Sequence, residues 1–380
     1  MNFSVSNRHR LMQELFRKFA LNEVKPLAGD IDETERFPHE TTEKLAKYGF
    51  LGIPFPKEMG GAGADNLAYT MCVEELSRVC GTTGVIVSAH SSLCAAPIYE
   101  NGTPAQKERY LPKLAGGEWL GAFGLTEAGA GTDAAMQQTT AIDNGDHYVL
   151  NGTKIFITNA GPAHVYIIIA ITDKTKRTRG LSAFIVEKDF PGFSVGKKEK
   201  KMGIRGSATC ELIMEDCIVP KENLLGREGR GFSIAMKTLD GGRIGIAAQA
   251  LGIAQGAIDI TADYVRERIQ FGKRISRFQN TQFELADMQT KVDAARLLTY
   301  RAACAKDNGE GYSQSAAMAK LFASEVASDV TRRCVQLHGG YGYTREYAIE
   351  RMMRDAKITE IYEGTSEVQK MVIASYMKIN

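Results

Sequence analysis

The chain is poor in the features that announce a metal centre, an extracellular framework or a polyanion-binding face. Its seven cysteines, at 72, 80, 94, 210, 217, 304 and 334, are odd in number and form no C-x-x-C pair. That pattern argues against structural zinc and against a disulfide framework, and it fits a reducing compartment. Lys plus Arg number 47 against 45 Asp plus Glu, for a net charge of +2. Both signs are interspersed, so no nucleic-acid partner is expected. No apolar run approaches the length of a membrane span: the longest, Val165–Ile171, is strand-sized. The opening MNFSVSNRHRLMQELFRKF lacks the apolar core of a signal peptide, because Leu11, Met12, Leu15, Phe16 and Phe19 recur at helical spacing among charges. A cytoplasmic chain without membrane insertion is expected, or a matrix one if it derives from a processed eukaryotic precursor. Repeats and low-complexity segments are missing, and His338 has no second histidine at metal-ligand spacing.

What is present is an ordinary globular composition, 380 residues with 44% hydrophobic and 24% charged, enough for more than one domain. Residues 1–120 read as an α-helical domain, with helical periodicity around 8–28, 38–49 and 67–80 and a Gly/Pro loop at 54–65. Residues 121–225 change texture. Short β-rich runs at 147–150, 153–158, 165–172, 181–187 and 210–214 follow one another without intervening helices, which predicts a central antiparallel barrel or sandwich. Asn151-Gly152 between the first two reads as a hairpin turn. Residues 226–380 return to helical patterning, at 231–269, 279–307, 313–337 and 345–361, and predict a four-helix bundle. The fold class is therefore α+β, multidomain.

Two segments invite a chemical reading. Gly129-Ala-Gly131-Thr-Asp-Ala134 satisfies G-x-G-x-x-A, but only eight residues separate Ala134 from Asp143-Asn-Gly145 and strand-like sequence follows, so the helix that a dinucleotide fingerprint needs is missing. Farther on, Met352, Ala356, Ile358 and Ile361 form a helical apolar stripe running to Tyr362-Glu363-Gly364. A carboxylate among apolar neighbours loses solvation and becomes a stronger base, although a glutamate at a helix end is more often a surface charge.

The wording of six segments decides between these readings. RDAKITEIYEGTSEVQ (354–369), FGLTEAGAGTD (123–133), KIFITNAG (154–161), TLDGGRIGIAAQ (238–249), RERIQFGKRISRFQ (266–279) and QLHGGYG (336–342) together resemble the acyl-CoA dehydrogenase family over essentially the whole chain, in wording closest to its short-chain, butyryl-CoA type. The resemblance implies FAD, a short-chain acyl-CoA substrate, electron-transfer flavoprotein as partner and a homotetramer. It places Glu363 as catalytic base. Phe123, Leu125, Thr126, Phe156 and Thr158 would face the flavin, joined by Thr365 and Glu367. Arg268, Phe271, Gln279, Gln336, Gly339 and Gly340 would reach FAD from a neighbouring subunit. Thr132, Asp240, Arg243 and Gly364 would serve the substrate. In some branches of the family the base stands at the position of Gly242, and glycine cannot supply it. Ala128 replaces a usual proline and Met136 a usual small residue, departures that bear on loop shape beside the contacts.

The chemistry so implied is removal of the α-proton by Glu363 with transfer of the β-hydrogen to the flavin, giving a trans-2-enoyl-CoA. The thioester oxygen would be hydrogen-bonded by the Glu363 backbone N–H and a ribityl hydroxyl. Rival readings on the same site are an enoyl-CoA reductase and an acyl-CoA oxidase. A flavin-containing nucleic-acid-binding relative would want a basic face and a disrupted base, and the chain has neither.

Overall fold

The computed structural model describes residues 5–378. Helices α1 (Asn7–Phe19), α2 (Ala28–Thr34), α3 (His39–Lys47), α4 (Asn66–Ser77), α5 (Gly81–Ser88), α6 (Ala96–Asn101) and α7 (Pro104–Ala115) build the first layer. The periodicity seen over 8–28 is one helix and part of another: Pro26, which lacks an N–H and restricts its neighbour, falls in a tight turn between α1 and α2. At α7 the Thr103 hydroxyl accepts the Gln106 N–H at 3.2 Å and the Gln106 side chain accepts the Thr103 N–H at 3.0 Å, a reciprocal cap with Pro104 in the first helical turn. Between α5 and α6 the chain widens into a π-helical turn, Ala89–Ala95, whose residues are all buried. Such turns offset the side chains that follow and recur at functional sites.

The middle of the chain is one sheet of eight strands: β1 (Gly121–Gly124), β2 (Thr140–Asp143), β3 (His147–Ile157), β4 (Val165–Ile171), β5 (Leu181–Glu187), β6 (Phe193–Lys198), β7 (Cys210–Pro220) and β8 (Leu224–Leu225). The path runs β6-β7-β3-β2-β4-β5-β8, with β1 also on β4. Antiparallel pairing predominates, but β1 lies parallel to β4, Gly121 opposite Val165, and β2 meets the far end of β4 at Thr140 opposite Ile171. β1 and β2 thus share one flank of β4. The chain between them, residues 125–139, is pushed off the sheet as a loop.

Asn151-Gly152 is not a hairpin turn. It lies inside β3, where the pairing with β7 shifts between Leu150 and Gly152. The Asn151 side chain bonds Asp216 across the strands, Nδ2 to Oδ1 at 3.0 Å and the Asp216 N–H to Oδ1 at 2.8 Å. Gly152 takes φ +146, and a Cβ there would meet Thr139 Oγ1 at 2.5 Å. The glycine serves a bulge and a close strand crossing. The turn between β2 and β3 is made by Asn144-Gly145 instead, with Gly145 at φ +95.

The last third contains α8 (Gly231–Glu267), a small hairpin of β9 (Ile269–Gln270) and β10 (Lys273–Arg274), α9 (Gln279–Asp307), α10 (Ser313–His338), α11 (Ile349–Ile358) and α12 (Ser366–Met377). Three long helices match the periodicity closely. The fourth place in the bundle is shared by α11 and α12, because Glu363 at φ +51 and Gly364 at φ +92 turn the chain between them. α8 is long and apolar enough to cross a membrane by composition, but 89% of its most apolar window is buried within the protein, as a core helix requires. It packs on α4, α5, α9, α10 and α11 and so joins the helical layers.

Candidate active site

The site is built where the loop after β1 meets α8 and the turn between α11 and α12. The loop is held by charge. Lys154, on β3 and fully buried, places its Nζ 2.6 Å from Glu127 Oε1, 2.5 Å from Gln137 Oε1 and 3.2 Å from the Leu125 carbonyl. Glu127 in turn accepts the N–H groups of Gln138 at 2.7 Å and Thr139 at 3.1 Å. The Ile155 N–H donates to the Thr126 carbonyl at 2.9 Å. A buried ion pair is retained without loss only when its remaining oxygens and protons are hydrogen-bonded in this way. Its effect here is to pin residues 125–139 to β3.

Between that loop and the helices lies a cavity of about 290 Å³. Its lining brings together Phe123, Leu125, Thr126, Thr132, Phe156, Thr158, Arg243, Glu363 and Gly364, which the sequence offered from four separate segments. Ala89 and Leu93 of the π-helical turn and Phe232, Met236 and Leu239 of α8 supply apolar wall. Phe156 stands at φ +60 and is 60% exposed on the face of this cavity, at the point where β3 slips register against β7 between Lys154 and Ile157. A large side chain in the left-handed region costs of order 1–3 kcal/mol, and such strain gathers where a ligand is bound.

Glu363 enters from the left-handed turn. The residue as a whole is half-buried, yet its Oε2 is sealed from solvent without a hydrogen-bond partner. Burial pushes its carboxyl up to about 8, against the pull of Lys320 and Arg243 in the other direction. Room for this carboxylate comes from Gly242: a Cβ on that residue would lie 2.0 Å from Glu363 Oε2 and 2.8 Å from Leu93 Cδ2. The absent side chain of Gly242 and the presence of Glu363 are therefore one steric fact. Arg243 Nε and Gln369 Oε1, close by in the chain fold, are likewise buried without partners. Orphaned polar atoms at one place point to a ligand that completes them.

Other expected residues lie around the rim. Asp240 is outside the lining, one turn back on α8, where Arg243 Nη1 and the Ser313 hydroxyl each donate to it at 2.5 Å. Thr365 caps α12, and exposed Glu367 lies in its first turn. Arg268, Gln336, Gly339 and Gly340 line a different and open groove of about 470 Å³ that shares no residue with the Glu363 cavity. There the Arg268 guanidinium lies 5.2 Å above the Tyr341 ring. Phe271, at the tip between β9 and β10, is 93% exposed at φ +52, and Gln279 begins α9. A further cavity of about 480 Å³ beside α1, α8 and α11 is lined largely by charged side chains, several paired as in Arg17–Glu75 and Arg78–Asp259, and holds none of the expected residues. Among the described residues no group of three or more metal-ligating side chains occurs.

Sequence reasoning did not find Lys154, Lys320 or Gln369. Lys320 carried a usable signal: it falls on the same helical face as Ala316, Ala323 and Ala327, all buried, where a solvated lysine would be out of place. Lys154 carried one too: it falls in step with Tyr148 and Leu150, both buried, on the two-residue alternation of β3.

Comparison with known proteins reports three consecutive matches to family models: acyl-CoA dehydrogenase N-terminal domain over residues 6–118, middle domain over 122–217 and C-terminal domain over 229–378. A short-chain specific acyl-CoA dehydrogenase of Clostridium acetobutylicum is 60% identical over 374 residues, covering 98% of this chain and 99% of that protein. An acryloyl-CoA reductase (NADH) of Anaerotignum propionicum is 52% identical over 376 residues, 98% of this chain and 95% of the other. Among solved structures, a chain from work on the electron transferring flavoprotein of Acidaminococcus fermentans and flavin-based electron bifurcation superposes with a TM-score of 0.99 at 53% identity, with complete coverage of both chains.

Proposed function

The chain belongs to the acyl-CoA dehydrogenase family of oxidoreductases, and on that premise we propose that it is an FAD-dependent enzyme that desaturates a short-chain acyl-CoA between Cα and Cβ, with Glu363 as the base. The observation that carries this reading is the sealed, unpartnered Oε2 of Glu363, aimed into a cavity whose opposite wall is the loop after β1.

The residues present suit a flavin. Phe156 offers a flat apolar face, Thr126 and Thr158 offer hydroxyls, Phe123 lies on β1, and the loop backbone at Leu125 is held by Lys154 of β3. These residues would hold the ring system, with Thr365 and Glu367 at its edge. When bound, FAD supplies the acceptor for the hydrogen leaving Cβ. Arg268, Phe271, Gln279, Gln336, Gly339 and Gly340 would hold the rest of the cofactor in a second copy of the chain, and the bare Phe271 side chain supports that division. The rigid guanidinium fork of Arg268 suits the pyrophosphate. That division requires at least two copies of the chain, and the family resemblance extends the expectation to a homotetramer.

On the substrate side, Glu363 Oε2 takes the α-proton. Its raised proton affinity narrows the gap between carboxylate and carbon acid. The backbone N–H of Glu363 donates to the thioester oxygen, where a well-aimed donor is typically worth roughly 3 kcal/mol. Thr132 and Gly364 would contact the thioester end, Asp240 would bind the pantetheine arm and Arg243 would help order the pocket. Leu93, Phe232, Met236 and Leu239 exclude water around the acyl chain. Likeness to the Clostridium acetobutylicum enzyme, together with the wording of TLDGGRIGIAAQ, supports a short acyl chain. Electron-transfer flavoprotein is the proposed partner for reoxidation, supported by the likeness to the Acidaminococcus fermentans chain.

Anaerobic addition of butyryl-CoA to the purified yellow protein tests cofactor and reaction together. Bleaching of the visible band is expected, and a spectrum that does not respond to any acyl-CoA refutes the proposal. A second reading, net reduction of an enoyl-CoA, is favoured by the 52% identity to the acryloyl-CoA reductase. The same base and walls serve both directions, so the rates with butyryl-CoA and crotonyl-CoA, compared with one electron-transfer flavoprotein, distinguish them.

A further inference from the structure

Lys320 lies in the middle of α10 with no exposed surface. Burying an ammonium is costly unless it is hydrogen-bonded and faces opposite charge. Its Nζ donates to the Gly364 carbonyl at 2.7 Å. From the other side Gln369 of α12, also fully buried, donates Nε2 to the same carbonyl at 2.8 Å and to the Glu363 carbonyl at 3.2 Å. The peptide groups on the C-terminal side of Glu363 are thereby clamped between two helices. Glu363 and Gly364 are consecutive left-handed residues, a conformation that costs a glutamate free energy and persists only where the surroundings over-determine it.

We propose that Lys320 is a positioning residue for the base: its buried ammonium fixes the Glu363–Gly364 turn through the Gly364 carbonyl and sets a positive charge facing the Glu363 carboxylate. This rests on Glu363 being the base. The charged and titratable groups around that carboxylate are Lys320 from α10, Arg243 from α8, Tyr69 from α4 and Tyr362 from the turn itself, with Glu360 and Glu367 farther out. Of the two cations, Lys320 exerts the larger pull on Glu363. Arg243 already shares its charge with Asp240. Tyr362 is tied to Gln249 and stays protonated, because burial drives its phenol well above the usual range. Removing Lys320 therefore releases the turn and takes away the main counter-charge in one step.

The test compares Lys320→Met, Lys320→Arg and Glu363→Gln as FAD-loaded enzymes, with butyryl-CoA as substrate and an artificial electron acceptor. For Lys320→Met the acid limb of the kcat/KM profile is expected to move to higher pH by about one unit, with the plateau lowered about tenfold and FAD content unchanged. Lys320→Arg keeps charge and donor, so it should return the limb to within a few tenths of a unit of wild type even if the plateau stays reduced. A merely structural lysine would lower the plateau without moving the limb. An unmoved limb in Lys320→Met, or an equal shift in Lys320→Arg, overturns the proposal while the inactivity of Glu363→Gln still upholds the base. Should Lys320→Met not fold, Lys320→Gln is read in its place under the same criteria. Near-normal turnover in Glu363→Gln overturns both.

Discussion

Gly242→Ala is the sharpest available test of the site. An added Cβ would stand 2.0 Å from Glu363 Oε2 and 2.9 Å from its Cδ, with Leu93 Cδ2 at 2.8 Å on the other side. Real contacts of this kind need more than 3 Å, so the carboxylate has to retreat by about 1 Å, and a displacement of that size in a reacting group typically costs roughly a hundredfold in rate. The neighbouring Gly241→Ala is the matched control. Its Cβ meets Lys306 Nζ at 3.2 Å, the far end of a flexible side chain, and the Tyr312 hydroxyl at 4.0 Å, an ordinary contact. Both positions lie inside α8. Replacing a helix-interior glycine by alanine is intrinsically favourable by about 1 kcal/mol, so propensity pushes both variants the same way and cannot explain a difference between them. Steady-state kcat/KM with butyryl-CoA, alongside FAD content and thermal midpoint, should show Gly241→Ala within a few-fold of wild type and Gly242→Ala down about a hundredfold with FAD retained. Equal activities in the two variants would refute the steric argument that binds Gly242 to Glu363.

Glu363→Gln should retain FAD and ligand binding and lose turnover by several orders of magnitude, measured by stopped-flow bleaching. The same substitution reports on linkage. Because folding raises the Glu363 carboxyl from 4.5 to about 8, its contribution to stability is present below about 4.5 and lost as pH rises through about 8. That shift corresponds to roughly 5 kcal/mol at most, and to a smaller figure once the half-open residue is discounted for screening. Thermal midpoints should therefore show Glu363→Gln gaining on wild type between pH 5 and pH 9, and a gap that narrows with rising pH contradicts the buried carboxyl. Lys154→Met strands Glu127, whose side chain is 7% exposed, beside apolar replacement; removing one partner of a buried pair costs about 3–5 kcal/mol, so the urea midpoint for FAD release should fall. Adding Glu127→Gln should recover part of that loss, and strict additivity of the two changes argues against the pair. For the division of the FAD site between copies, Arg268→Ala and Glu363→Gln should each be inactive, whereas their co-expressed hybrids should regain activity. Hybrids as dead as the parents speak for a site within one chain.

Local pattern alone determined the spans of the long helices. The repeats over 279–307 and 313–337 coincide with α9 and α10 because amphipathic periodicity is written every three or four residues and needs no distant partner. The order of helical, β and helical parts was legible for the same reason, and the wording around Tyr362-Glu363-Gly364 singled out the candidate base. Asn151-Gly152 shows where local pattern fails. The dipeptide has the chemistry of a turn, and only Thr139 and Asp216, brought in by the sheet, hold it within a strand opposite a bulge in β7. For Glu363 the apolar neighbours gave the direction of its change, but not the groups that produce it. Its proton affinity depends on Gly242 leaving space from α8, on Leu93 closing it from the π-helical turn and on Lys320 facing it from α10, contributions far apart along the chain that meet at one carboxyl. Sequence names a carboxylate, while desolvation and counter-charge belong to the packed structure, because both fall off with distance in space and take no account of distance along the chain.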